Sequence, residues 1–219
     1  MLKYLHIVLS DQLSFDITAL SDFDPSSSRV LMMEVQEECT FVAHHKQKIV
    51  LHISAMRHFA VELQTAGMNV DYVYLTDPLN TGTIHSEIVR AVERHKPERT
   101  IITEPGEWRQ NQIISELKKR IACELEVRPD ERFFVSNDWF QAWAAGRNTW
   151  RMEHFYRKIR AELKILMDKT QPCGGRWNWD ATNRKRLPKN MDIQVRKRYS
   201  PDKVTLEVMG LVEQLFPNH

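Results

Sequence analysis

Three short stretches concentrate hydrogen-bond acceptors: Ser10-Asp11-Gln12-Leu13, Glu34-Val35-Gln36-Glu37-Glu38 and Glu104-Pro105-Gly106-Glu107-Trp108. Carboxylates and amides gathered with Phe41 and Trp108 as planar groups, and with Lys46 and Arg109 as almost the only cations nearby, suit a flat neutral heterocycle bearing N–H and hydroxyl donors. The same set would repel a phosphate-rich ligand. From Glu38 onward, Phe41, His45, Ile49 and His52 recur at three- and four-residue spacing, which lines them along one side of a helix as a wall for such a ligand. The competing reading is that Glu37, Glu38, Glu104 and Glu107 occupy helix N-termini, where the dipole favours acids. It stays open for Glu107, whereas Asp11-Gln12 begins no helix, and this favours a ligand rim for the set as a whole.

Other chemistries lack their motifs. There is no GxGxxG after the first strand and no GxxxxGK[ST], and only 7 glycines occur in the 219 residues, so neither standard phosphate cradle is present. The nine histidines include His44-His45, His52 and His58, but no HExxH and no zinc-like Cys/His spacing. A GxSxG nucleophile elbow is missing too. Cys39, Cys123 and Cys173 are too widely spaced for a disulfide framework or a CxxC pair and are read as reduced and incidental.

The acceptor-rich turns need a scaffold, and the flanking patterns supply one. Lys3–Leu9, Arg29–Val35, Asn69–Leu75, Arg99–Thr103 and Glu124–Val127 are short, apolar and rich in β-branched or aromatic residues, as buried parallel strands are. Between them, His44–Ala66 repeats Ile49, Ile53, Met56, Phe59, Ala60 and Leu63 along one stripe and is stopped by Gly67. Helical patterns at Thr83–His95 and Glu107–Ala122 complete an alternation that right-handed crossovers turn into an α/β fold, a Rossmann-like doubly wound parallel sheet of about five strands. Ligands of such sheets bind beyond the carboxyl ends of the strands, which is where all three acceptor-rich turns fall.

After Ser136 the strand pattern ceases. Asn137–Ala145 and Trp150–Met167 read as helices, and five of the six tryptophans fall between Trp139 and Trp179. Asp168–Asp202 is polar, basic and broken by Pro172, Gly174-Gly175, Pro188 and Pro201, before a last amphipathic helix at Lys203–Leu215. The expected division is a sheet domain over 1–135, a helical extension over 136–167, and a linker with a terminal helix over 168–219. The formal net charge is +2, but 147–199 holds 15 Lys and Arg against 5 Asp and Glu, so this third faces an anionic partner or forms a solvated linker. No apolar run approaches the roughly 20 residues of a membrane span, and the first strand is too short for a signal peptide, so a cytoplasmic protein without membrane contact is expected.

The residues also carry a resemblance. Ser10–Ser14 (SDQLS), Glu34–Ile49 (EVQEECTFVAHHKQKI), Ser54–Leu63 (SAMRHFAVEL), Thr103–Arg109 (TEPGEWR), Trp143–Arg147 (WAAGR), Met152–Arg160 (MEHFYRKIR) and Gly174–Lys185 (GGRWNWDATNRK) resemble the amino-terminal region of deoxyribodipyrimidine photolyase-related proteins, the prokaryotic (6-4) photolyases and iron–sulfur bacterial cryptochromes. The match runs from end to end. It implies a light-harvesting antenna domain, followed in the family by a helical catalytic domain that holds FAD and a four-cysteine iron–sulfur cluster and lies outside this sequence. The chromophore it implies is 6,7-dimethyl-8-ribityllumazine, with Glu34, Glu38 and Phe41 around the ring, Asp11 and Gln12 near the ribityl chain or ring edge, and Glu104 and Glu107 as further acceptors. His52 departs from the apolar residue usual on that helix face. The basic third, with Arg176, Trp177, Trp179 and Arg184, would dock to the catalytic domain or face DNA phosphates weakly and without sequence preference. No bond-making role is implied for this chain alone. Two other readings compete: a stand-alone nucleotide-binding enzyme on a Rossmann-like sheet, disfavoured by the missing phosphate loop, and a basic nucleic-acid or protein docking module.

Overall fold

The computed structural model describes residues 2–219, the Thr182 side chain excepted. It falls into two units, one running to Arg132 and joined by Ser200–His219, the other Phe133–Tyr199.

The first unit is built on five parallel strands, β1 (Tyr4–Ile7), β2 (Ser28–Met33), β3 (Val70–Val73), β4 (Arg99–Thr103) and β5 (Glu124–Arg128), in the order β3-β2-β1-β4-β5. The register pairs His6 with Val30 on one side and with Ile101 on the other. Alternation then sorts the side chains onto two buried faces. Leu5, Ile7, Leu9, Leu31, Met33 and Ile102 pack with Ile84, Ile88, Val92, Ile114 and Leu117. Those five belong to α3 (Ile84–His95) and α4 (Trp108–Leu117). The opposite face sets Val8, Val30, Met32 and Ile101 against Met56, Phe59, Ala60 and Leu63 of α2 (Lys46–Thr65). This is the expected Rossmann-like α/β arrangement, with both sheet faces covered because the crossovers after β2, β3 and β4 carry α2, α3 and α4, while that after β1 holds only a short turn at Thr18–Leu20.

α2 owes its start to His45, whose Nδ1 accepts from the Gln47 amide at 3.1 Å. It ends where Gly67 takes a φ of 86° and donates to Gln64, with Met68 reaching back to the Leu63 carbonyl. A short helix, α1 (Gln36–Thr40), fills the turn after β2. α4 is shorter than its sequence pattern, stopping at Leu117 because Lys119 and Arg120 donate three residues back, in tight turns, to Glu116 and Leu117.

The terminal helix differs most from the sequence expectation. Numbered α8 (Lys203–Leu215), it begins on Asp202, which accepts from the Thr205 amide at 2.8 Å. It is no appendage to a linker: Val208, Val212 and Phe216 are buried against Cys39, Ile49 and Ile53. Lys46 closes on Glu213 at 2.9 Å and His58 on Asp202 at 2.8 Å. The apolar stripe of the last helix is thus covered by α2 and the turn before it, which joins Ser200–His219 to the sheet unit.

The second unit holds α5 (Asn137–Ala144), α6 (Met152–Leu163), a two-residue hairpin of β6 (Met167–Asp168) and β7 (Gln171–Pro172), and a single turn α7 (Asp180–Asn183). Its centre is aromatic. Trp143 and Phe140 meet the Phe155 ring edge-on at 4.9 and 5.3 Å, and Trp139 does so at 5.6 Å. Buried Arg160 donates to the Ile165 and Leu166 carbonyls and to the Tyr156 hydroxyl, which ties α6 to the turn that follows it. Residues 191–199 have no regular structure, as a linker would. Among the described residues no helix is long and apolar enough to cross a membrane.

Candidate functional site

A cleft opens beyond the carboxyl ends of β1 and β2, beside the point where strand order reverses between β1 and β4. Val8, Ile49, Ile53, Met56 and Ile84 make it largely apolar, and Asp11, Glu38, Phe41, His44, Lys48, His52, Glu107 and Gln110 bring polar or planar groups to it. The cavity has a volume of about 140 Å³. Ile49 and Ile53 contribute both here and to the layer under α8, so the terminal helix backs one wall.

One side of the cleft is organised by Arg109, in the first turn of α4. Its Nη2 donates to Glu38 Oε1 at 2.6 Å and its Nε to Glu107 Oε1 at 3.1 Å, while Glu37 lies 3.7 Å from Nη1. The guanidinium carbon sits 4.2 Å from the centre of the Phe41 ring, a cation–π contact. Burial works against the charge, but the Glu38 and Glu107 carboxylates prevail and hold the guanidinium more firmly protonated than usual. Beside it, Gln110 Nε2 donates to Glu38 Oε2 at 3.2 Å. Gln110 is 4% exposed, and its Oε1 has no hydrogen-bond partner among the described residues. A buried acceptor left open in a cleft is the form a ligand-reading group takes.

The sequence-predicted residues divide into two groups. Asp11, Glu38, Phe41, His52 and Glu107 do line the cleft. Glu34 lines it too, but its carboxylate is committed elsewhere. Arg57 Nε and Nη2 donate to it at 2.7 and 3.0 Å, the Tyr72 hydroxyl at 2.7 Å and the Leu75 amide at 2.9 Å. Four donors occupy both oxygens, so Glu34 ties β2, β3 and α2 together and has little left for a ligand. The Glu34 hydrogen bonds hold Arg57 above its ordinary pKa, and burial followed by the Glu34 charge raises that of Tyr72.

Gln12, His45 and Glu104 are not among the residues lining the cleft. Gln12 is fully buried and donates to the Thr103 carbonyl at 3.0 Å, pinning the turn after β1 to the end of β4. His45 caps α2 with its own ring, and this turns the neighbouring His44 to the cleft in its place. Glu104 is partly buried and donates its amide to the Arg128 carbonyl at 2.7 Å. Trp108 is 77% exposed and lines a separate shallow groove with His85 and Ile113.

Four cleft residues escaped the sequence reading: His44, Lys48, Gln110 and Cys39. Lys48 and His52 follow the four-residue rule within α2, while His44 precedes the helix. Cys39 is a small buried thiol whose pKa is pushed up to about 12 by burial and then by the Glu34 and Glu38 charges, so it stays protonated and inert as a nucleophile. Among the described residues no three His, Cys, Asp or Glu side chains are grouped to hold a metal ion. In the second unit, Arg176 lies 5.1 Å from the Trp179 ring centre and Arg157 and Arg160 5.5 Å from that of Trp177. Arg176, Trp179 and Arg184 are exposed.

The chain matches the family described as deoxyribodipyrimidine photo-lyase-related protein over residues 6–219. It is 41% identical over 220 residues to a protein of Agrobacterium fabrum strain C58 named (6-4) photolyase, an alignment that takes in 100% of this chain and 43% of that protein. The chain thus spans less than half the length of the curated relative. Among solved structures it is similar to hypothetical protein MJ0577, with a TM-score of 0.36 and 17% identity, over 59% of this chain and 96% of that one. With a family match across nearly its whole length and a sheet that presents a cleft at its switch point, the chain belongs to the deoxyribodipyrimidine photolyase-related proteins.

Proposed function

We propose that the cleft holds a flat light-absorbing heterocycle and that the chain serves as the antenna part of a photolyase- or cryptochrome-type flavoprotein acting in light-driven DNA repair or blue-light sensing. The observation that carries this reading is Gln110: a buried amide with an open acceptor, held by Glu38 next to the Arg109-backed Phe41 ring. Phe41 supplies a planar surface, the Val8, Ile49, Ile53 and Met56 side chains exclude water, and the Gln110 oxygen fixes an N–H edge of the ring. 6,7-Dimethyl-8-ribityllumazine, the chromophore implied by the family resemblance, fits that donor set through its imide N–H and its ribityl hydroxyls, for which Asp11 and Ser10 are acceptors at the mouth. When bound it would supply absorption and pass its excitation through space. The residues orient the ring and keep it dry, and no bond is made or broken.

FAD and the iron–sulfur cluster are assigned to a helical catalytic domain, the partner to which the exposed aromatic and basic side chains of the second unit would dock. The test is a fluorescence titration of the protein with 6,7-dimethyl-8-ribityllumazine. Saturable binding is expected, weakened in Gln110→Leu, whose thermal unfolding reports whether the fold is kept. No binding at tens of micromolar in a folded sample would overturn the reading.

A further inference from the structure

We propose that the outer faces of α2 and α8 form a homodimer interface, covered by the same faces of a second copy of this chain and closed about a two-fold axis near Gly210. The two helices run antiparallel, since Lys46 meets Glu213 at one end and His58 meets Asp202 at the other. Between them lies a groove of about 560 Å³, lined along its length by Val50, Leu51, Ser54, Ala55, Met209 and Val212. Leu51 is 67% exposed, and Met209 and Leu206, three residues apart on α8, are exposed as well. Apolar side chains of this size gathered at the surface of a folded unit mark a contact with another macromolecule.

Gly210 sits inside α8, where only proline is a poorer helix former, and nothing lies within 4 Å of where its Cβ would stand. Packing within the chain therefore gives no reason for the missing side chain. A second helix crossing there does, because the distance between two helix axes is set by the side chains at the crossing. In the groove, Ser54 is 6% exposed and its Oγ has no hydrogen-bond partner among the described residues. A buried hydroxyl left open on an apolar surface calls for a polar group brought from outside. Charge then selects the occupant. α8 carries Lys203 at its start, 3.9 Å from Glu207, and Glu213 at its end, largely exposed although Lys46 pairs with it. Two copies of α8 laid antiparallel across Gly210 bring the Lys203 of each toward the partner's Glu213, and two-fold symmetry makes that contact twice.

Sedimentation velocity between about 1 and 100 µM protein tests this, and the average mass is expected to climb from one chain toward two as concentration rises. Gly210→Gln places a side chain in the crossing while improving the helix, so it should keep or raise the melting temperature and weaken association about tenfold or more. Lys203→Glu and Glu213→Lys should each associate less at low salt and regain association when mixed, because opposite charges then meet at both ends. A single-chain mass throughout, in a folded sample, would overturn the proposal and leave the groove to a different protein or a small apolar ligand. A dimer unaffected by Gly210→Gln, or charge variants that do not associate on mixing, would place self-association on another surface and overturn it as well.

Discussion

The Arg109 guanidinium lies 4.2 Å over the ring of Phe41, so a cation from α4 fixes the one aromatic wall that α1 and the following turn present to the cleft. Phe41 is still 44% exposed. Arg109→Ala removes the stacking partner and leaves Glu38 and Glu107 unpaired. It should weaken ligand binding about tenfold and destabilise the fold by ~1–2 kcal/mol. Arg109→Lys keeps the charge without the planar fork and should fall between the two. Ligand titration and urea midpoints on both variants check this.

Glu34 tests the distinction between lining a cleft and reading a ligand. Its side chain is fully buried and meets Arg57 at 2.7 Å, so Glu34→Gln leaves a part-buried guanidinium without its counter-ion. A loss of ~3 kcal/mol is expected. Tyr72→Phe removes one of four donors and should cost ~1 kcal/mol. If Glu34→Gln instead left stability unchanged and abolished ligand binding, the structural role assigned to Glu34 would be wrong.

The terminal helix should behave as core. Phe216→Ala opens a cavity against Cys39, Ile49 and Ile53, with an expected loss of ~3 kcal/mol. Because Ile49 and Ile53 also form the cleft wall, the same variant should loosen ligand binding. Deleting Ser200–His219 should lower the melting temperature of the sheet unit rather than leave it untouched, a difference that calorimetry resolves.

His6 sets an acid limit. The ring is fully buried on β1, Nδ1 lies 2.5 Å from the Ala19 carbonyl, and burial, only partly offset by that hydrogen bond, lowers its pKa. Below about pH 6.5 the unfolded chain takes up a proton that the folded ring refuses, so this stability is complete above that pH. It is lost as pH falls toward the folded-state pKa, by up to ~1.4 kcal/mol per pH unit. His6→Gln should flatten the profile between pH 7.5 and 5 in urea melts.

The basic second unit predicts a particular kind of nucleic-acid binding. Fifteen Lys and Arg against five acids over 147–199 should give DNA affinity that is weak, indifferent to sequence and falls steeply between about 50 and 200 mM salt. Fluorescence anisotropy on two unrelated duplexes checks it. A preference between them, or binding insensitive to salt, would contradict a purely electrostatic contact.

The α/β pattern was legible in the sequence because a parallel sheet covered on both faces needs uninterrupted apolar strands, and its helices need one apolar stripe each. β4 and α8 fall on the residues their patterns mark. The same logic puts acceptor-rich turns after β1, β2 and β4 at one rim, and a cleft opens there beside Asp11, Glu38 and Glu107. What each acceptor does there was decided by tertiary structure. Whether Glu34 is free depends on Arg57 and Tyr72, 23 and 38 residues away, and whether Gln12 points outward depends on Thr103. His45 caps α2 from just outside its first turn and so lies off the cleft, whereas Lys48 and His52, four residues apart within α2, line it. The last helix read as amphipathic from its own residues, but only the folded chain shows that its apolar face closes on α2, because a stripe records that a partner exists and carries no information on which surface it is.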